Sequence, residues 1–120
     1  MSKISIESTL ENKEEKHKFK GKGIKKDNQI IYIDEKVQTK ITLDSIITIE
    51  RKTDYYLKLD LKKGIKTKGI YINKYGTFEI ETLTTELIKK DNELKIVYKI
   101  KINENEFDTF IYKLKFSLDT

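Results

Sequence analysis

The sequence predicts an all-β protein that forms a closed antiparallel β-barrel of about eight to ten strands. Apolar and polar residues alternate with a period of two along almost the whole chain, and a helical period of 3.6 is almost absent. Alanine, the best helix former, is missing, whereas 19 Ile, 7 Tyr and 5 Phe residues suit a pleated, half-buried surface. No helix long enough for a parallel crossover is predicted, so neighbouring strands are expected to be antiparallel.

The first half of the chain contains candidate strands separated by turn residues such as the KKDNQ run at 25–29. In each strand, alternate positions are predicted to face the inside of the barrel. The predicted strands, with their inward residues, are 3–10 (Ile4, Ile6, Leu10), 17–24 (Phe19, Gly21, Gly23), 30–37 (Ile31, Ile33, Glu35, Val37), 38–43 (Ile41, Leu43), 46–52 (Ile47, Ile49, Arg51) and 55–61 (Tyr55, Leu57, Leu59, Leu61).

The second half shows the same alternation, and its last two strands are the longest. Residues 83–90 are ambiguous, because they fit either a short strand or one helical turn. The predicted strands are 66–72 (Ile70, Ile72), 78–82 (Phe78, Ile80, Thr82), 93–103 (Leu94, Ile96, Tyr98, Ile100, Ile102) and 107–118 (Phe110, Tyr112, Leu114, Phe116, Leu118).

The last two strands are predicted to form a hairpin. Both apolar stripes lie on even numbers, so residues that face each other must sum to an even number. A three-residue loop at 104–106 would place Tyr98 opposite Tyr112 on the inside. On the outside the same register would place Lys95 opposite Lys115.

Two charged residues end inward-facing apolar stripes, Glu35 after Ile31 and Ile33, and Arg51 after Ile47 and Ile49. An unpaired buried charge costs several kcal/mol, about 3 to 5 when one partner of a pair is removed. We therefore expect Glu35 and Arg51 to pair at the barrel mouth, where a planar guanidinium can bind a carboxylate twice. The alternatives are that the pair lines a ligand site, or that one or both residues face solvent.

Tyr98 and Tyr112 are predicted to face each other inside the barrel. Buried tyrosines need hydroxyl partners, and Thr82 or Arg51 could serve. Two interpretations fit these residues: a hydrogen-bonded polar cluster within the core, and a cluster that binds a ligand. The candidate ligand-binding residues are therefore Glu35, Arg51, Tyr98, Tyr112 and Thr82.

The order of several segments resembles a known family. These segments are KGKG, a hydrophobic–x–Glu step, SIITIER, YGTFEIETLTTEL, LKIVYKIKI and FIYKLKF. Over roughly residues 4–118 the chain is similar to the YwiB-like bacterial family of unknown function (DUF1934). The resemblance implies a lipocalin-type (calycin) barrel and no particular activity. Ile33 stands where the family usually has Tyr, and the positions that match best are Gly23, Glu35, Arg51, Gly76, Thr82, Thr84 and Tyr98.

The composition and motifs disfavour several function classes. Without Cys and with His17 as the only histidine, the sequence offers no metal site and no catalytic triad, so we expect neither an enzyme nor a cofactor. His17 itself is expected to be exposed. The net charge of +5 comes from 24 Lys and one Arg, and scarcity of arginine disfavours nucleic-acid binding. No segment resembles a signal peptide or a membrane span, so a cytoplasmic protein is expected.

Two functions remain open for a predicted single domain over residues 1–120. The first is binding of a small ligand at the mouth or interior of the barrel. The second is a structural or partner-binding role of the basic outer face, with an acidic protein or a nucleic acid. That face would comprise Lys95, Lys99, Lys101, Lys113 and Lys115. The sequence predicts a monomer or a weak dimer.

Overall fold

The described residues form ten antiparallel strands, which close into one barrel. The structure, a computed structural model, describes residues 1–102 and 108–119. The predicted loop at 104–106 lies outside the described residues. The strands are β1 (Ser2–Glu11), β2 (Lys16–Lys26), β3 (Gln29–Asp34), β4 (Val37–Leu43), β5 (Ile47–Lys52), β6 (Tyr56–Leu61), β7 (Lys66–Asn73), β8 (Gly76–Lys89), β9 (Glu93–Ile102) and β10 (Asp108–Leu118).

The strand order is a simple meander, because each strand pairs with its neighbours in the chain. The barrel closes where β1 pairs with β10, with Ile4 opposite Leu118 and Leu10 opposite Tyr112. Full closure leaves no strand edge free for pairing with another chain. The predicted closed antiparallel barrel is therefore confirmed.

The core fills the barrel with the inward side chains of nearly every strand, as the period of two predicts. Branched aliphatic residues dominate it, and three tyrosines join them. The buried apolar side chains are Ile4, Ile6, Ile30, Tyr32, Ile41, Ile47, Ile49, Leu59, Leu61, Ile80, Leu94, Ile96, Tyr98, Tyr112, Leu114 and Phe116.

The predicted phase of β3 is wrong. Ile30, Tyr32 and Asp34 are buried, whereas Ile33 is 63% exposed. The strand ends at Asp34, and Glu35 lies in an exposed two-residue turn to β4 with φ of 59°. Hairpins of this length use turns with positive φ, whose twist matches that of the strands. The turn therefore removes Glu35 from the inward stripe.

The phase of β7 also differs from the prediction. Ile70 and Ile72 are 41% and 39% exposed, and the inward positions are Thr67, Gly69 and Tyr71. Gly69 packs directly against the main chain of β6, because a Cβ added there would come 2.4 Å from the main-chain oxygen of Lys58. The main chain of β6 is too close at this point for any side chain larger than that of glycine, so this inward position of β7 carries no apolar group.

The register of the β9–β10 hairpin is shifted by two residues from the predicted one. Phe110 lies opposite Tyr98, and Tyr112 lies opposite Ile96. Tyr98 and Tyr112 are still inward, because a shift of two keeps every side chain on its face. On the outside, Lys95 lies opposite Lys113 instead of Lys115.

The ambiguous residues 83–90 form the second half of β8, which is a strand with a bulge between Thr84 and Glu86. Thr84 is buried before the bulge, and Leu87 packs against the core after it. One extra residue reverses the alternation, and this reversal is why residues 83–90 do not follow a single period. Among the described residues, no helix is both long enough and apolar enough to cross a membrane.

Candidate functional site

One end of the barrel is less completely buried than the other. We call it the mouth, and it carries the β1–β2, β3–β4, β5–β6 and β7–β8 connections. Six of the eight half-buried apolar residues that pack against the core lie toward this end, and Leu43 and Leu87 lie toward the other. The six are Leu10, Phe19, Leu57, Tyr71, Ile100 and Phe110. The mouth is therefore lined by apolar and aromatic groups that remain partly accessible.

A hydrogen-bonded tyrosine pair lies inside the barrel. The hydroxyls of Tyr32 and Tyr112 are 2.7 Å apart, and the Tyr32 hydroxyl also donates to Ser8 Oγ at 3.3 Å. Phe19 stacks on the Tyr32 ring, with a centroid separation of 4.9 Å. Three strands distant in sequence, β1, β3 and β10, are thus joined by polar contacts across the interior.

Arg51 and Tyr98 belong to the same cluster. Burial raises the pKa of Tyr98 to about 12, and the positive charge of Arg51 opposes this rise. Burial also raises the pKa of Tyr112 well above its usual value, Tyr32 adds to the rise, and Arg51 again opposes it. The positive charge of Arg51 on β5 therefore acts on two tyrosines, Tyr98 of β9 and Tyr112 of β10.

Two threonine hydroxyls beside this cluster have no hydrogen-bond partner among the residues that the structure describes. Thr39 and Thr84 are each 0% exposed, and the Oγ1 atom of each is unpaired. Thr39 lies opposite both Tyr32 and Arg51 in the sheet, and Thr84 lies opposite Tyr98. Since directly opposite side chains are about 5 Å apart at Cβ, both hydroxyls border the polar cluster.

A second polar pair lies on the inner side of the wall, toward the mouth. His17 Nε2 is 2.7 Å from Asp34 Oδ2, and the His17 side chain is 49% exposed, as predicted, whereas that of Asp34 is 9% exposed. The phase of β3, opposite to the predicted one, places Asp34 inside. The histidine gives this carboxylate a partner.

Glu35 is not part of the cluster, and the predicted ion pair with Arg51 is absent. Glu35 is exposed in the β3–β4 turn. Thr82 is fully buried but lies in a separate polar contact, where its hydroxyl meets Thr67 Oγ1 and donates to the main-chain oxygen of Thr67 at 3.2 Å. Of the five candidate residues, the structure therefore brings together three.

Sequence reasoning missed Ser8, Tyr32, Thr39 and Thr84. The run IIYIDE gave no clear signal for Tyr32, because Ile30, Tyr32 and Asp34 share one parity and Ile31, Ile33 and Glu35 the other. The inward residues Ser8 and Thr39 lie on the same faces as predicted apolar stripes, two residues from Ile6 and from Ile41. Polar residues within an inward stripe were the available indication of a polar interior.

The outer face of β9 and β10 carries carboxylates among its lysines. Lys95 pairs with Glu86 at 3.4 Å, and Lys115 pairs with Glu93 at 3.8 Å. A surface depression of about 380 Å³ lies there, lined by residues that include Glu7, Lys113 and Lys115. Within the described part of the chain, no group of three or more His, Cys, Asp or Glu residues could hold a metal ion.

The fold and the interior cluster define a small closed meander barrel that has an arginine and tyrosine site at one end. The chain belongs to the family described as "Domain of unknown function (DUF1934)", whose model matches residues 3–114. Its structure is similar to the crystal structure of the ywiB protein from Bacillus subtilis, with a TM-score of 0.58 and 14% sequence identity over 94% of this chain and 89% of that one. At this identity the similarity supports the fold alone. A comparison with curated proteins gives no match.

Proposed function

We propose that this protein binds a small organic ligand at the mouth of the barrel, in the manner of lipocalin-like (calycin) barrels. The observation that carries the proposal is the pair of unpartnered hydroxyls of Thr39 and Thr84 beside the tyrosine cluster. A buried hydroxyl without a hydrogen bond costs about 1 to 3 kcal/mol, and a polar ligand would remove this cost. The predicted cytoplasmic location belongs to the same proposal, and cell fractionation tests it.

The half-buried residues at the mouth support the same function. Ligand sites are mostly apolar and carry a few placed polar groups. Leu57, Tyr71 and Phe110 supply the apolar part, because each packs against the core and keeps an accessible surface. Tyr98 stacks on Phe110 with a centroid distance of 5.7 Å, so the polar cluster and the aromatic lining are contiguous.

Valine substitutions test whether the two hydroxyls serve a ligand. Thr39→Val and Thr84→Val preserve shape and remove an unpartnered hydroxyl, so each should raise the free energy of unfolding of the ligand-free protein by about 1 kcal/mol. Thr82→Val is the matched control, because its hydroxyl is hydrogen-bonded and its loss should lower stability by about 1 kcal/mol. If all three variants lose stability equally, the hydroxyls of Thr39 and Thr84 are already satisfied and the proposal loses its main support.

A binding experiment tests the function directly. The probes are 2-naphthoate and 2-naphthylmethanol, which share one aromatic body, and the readout is the two-dimensional amide NMR spectrum during titration. We expect saturable shifts of Leu10, Leu57 and Tyr71 at the mouth. The outer apolar patch around Ile24 and Ile33 is the competing surface, and Ile33→Ser is the control that should leave binding unchanged. The absence of saturable shifts at the mouth with both probes would refute the proposed function.

A further inference from the structure

We infer that the ligand of the mouth is an organic acid with a single carboxylate, and that this carboxylate binds the guanidinium of Arg51. The inference rests on the proposed function and specifies its ligand class. Three features of the site support it: an arginine without an acidic partner, hydroxyl groups around that arginine, and apolar residues at the rim of the mouth.

Arg51 is the only arginine of the chain, and it lies on the inward face of β5 next to Ile49 and Ile47. Its side chain is half-buried. Among the described residues, every ion pair of a basic side chain uses a lysine or His17, and none uses Arg51. A partly buried guanidinium that lacks a carboxylate is a natural binding point for one, because its planar geometry binds both oxygens at once.

The groups around Arg51 complete an oxyanion site. The hydroxyls of Thr39, Thr84 and Tyr98 can all donate hydrogen bonds, and within residues 1–102 and 108–119 those of Thr39 and Thr84 have no hydrogen-bond partner. The carboxylate of Asp34 lies 2.7 Å from His17 Nε2 and forms no ion pair with Arg51 in the described part of the chain. The site therefore presents hydrogen-bond donors and one positive charge.

The charge of the site selects a monoanion. One guanidinium balances one negative charge, and His17 is already paired with Asp34. A phosphate monoester carries nearly two negative charges at neutral pH, so half of its charge would remain uncompensated in a partly desolvated site. The rim of Leu57, Tyr71 and Phe110 adds an apolar surface, so the acid should carry an apolar or aromatic body.

Three probes with the same naphthalene body test the inference, namely 2-naphthoate, 2-naphthyl phosphate and 2-naphthylmethanol. Their dissociation constants are measured by isothermal titration calorimetry and by NMR. We expect naphthoate to bind about tenfold to a hundredfold more tightly than the alcohol, since a charge-assisted hydrogen bond contributes about 1.5 to 3 kcal/mol. The phosphate should bind more weakly than the carboxylate.

Variants assign this preference to Arg51. Arg51→Met should abolish the advantage of naphthoate over the alcohol. Lys52→Met is the matched control, because Lys52 is the exposed, outward-facing neighbour on the same strand. Leu57→Glu is a second variant that places a carboxylate directly opposite Arg51 in the sheet, and it should block naphthoate even if Arg51→Met does not fold.

Each outcome supports or overturns the inference. Equal binding of naphthoate and the alcohol would overturn the carboxylate assignment and leave the proposed function standing. Tighter binding of the phosphate, or a naphthoate preference that survives both Arg51→Met and Leu57→Glu, would also overturn it. If no probe binds at the mouth, the proposed function fails and the inference fails with it.

Discussion

The raised pKa of Tyr98 makes a quantitative prediction about stability in alkali. Burial raises this pKa to about 12 from the ordinary value of 10.0. The folded protein therefore favours the protonated, neutral hydroxyl, whereas the unfolded chain releases its proton near pH 10. The stabilisation is fully present below the unfolded pKa and is lost as the pH rises toward the folded value. The difference between the two values corresponds to about 3 kcal/mol.

Urea denaturation from about pH 8 to about pH 12 measures this loss through the free energy of unfolding. Lysines and the other tyrosines also titrate in this range, so the wild type is compared with Tyr98→Phe, in which those groups are the same. The stability of the wild type relative to the variant should fall by about 2 kcal/mol by pH 12, where half of Tyr98 is still protonated in the folded protein. Tyrosinate absorbance in the ultraviolet provides a second readout, because the raised pKa means that Tyr98 should ionise only well above pH 10.

A flat difference between wild type and Tyr98→Phe would refute the reasoning. It would mean that the hydroxyl ionises equally well in the folded and unfolded states, as it would in open contact with water. Ionisation of Tyr98 near pH 10 in a protein that remains folded by circular dichroism would lead to the same conclusion. Either result would remove the buried cluster on which the ligand site depends.

Three further substitutions test the fold. Glu35→Asn should raise the free energy of unfolding by about 1 kcal/mol, because Asn tolerates the positive φ of the turn better, whereas an ion pair with Arg51 would make the same change destabilising. Ile33→Thr should change the free energy of unfolding by less than about 0.5 kcal/mol, whereas Ile30→Thr should lower it by about 2 kcal/mol or more. Thermal unfolding measures both variants. If Ile33→Thr were the more destabilising of the two, the phase of β3 predicted from the sequence would be correct. Gly23→Ala should cost about 1 to 3 kcal/mol by urea denaturation, since its Cβ would lie 2.7 Å from a main-chain oxygen across the sheet, and a neutral result would mean that the wall is looser there.

The closed barrel could be predicted because apolar and polar residues alternate clearly within nearly every strand. The long strands β9 and β10 show this best, since their inward residues Tyr98 and Tyr112 were assigned correctly. Their register could not be fixed in the same way, because registers that differ by two place identical faces together. The choice between them depends on turn geometry and packing, which the pattern does not contain.

The apolar–polar alternation within a strand predicted the wrong inward face where residues on both faces are apolar or where the inward residue is small. In β3, Ile31 and Ile33 compete with Ile30 and Tyr32, and the alternation favours neither set. In β7, the inward residue is Gly69, which carries no hydrophobic signal. The wrong phase of β3 also affected the predicted site, because Glu35 was named as a candidate residue in place of Tyr32 and Asp34. The Arg51 assignment survived because its own strand alternates without ambiguity.

The seam between β1 and β10 has a consequence for how the protein folds. It pairs the earliest strand of the chain with the latest, so the barrel cannot close until the final strand is available. During synthesis on the ribosome, β1 and β9 would expose unpaired main-chain groups until then. Contacts so distant in sequence slow folding and prolong the period in which aggregation competes with it.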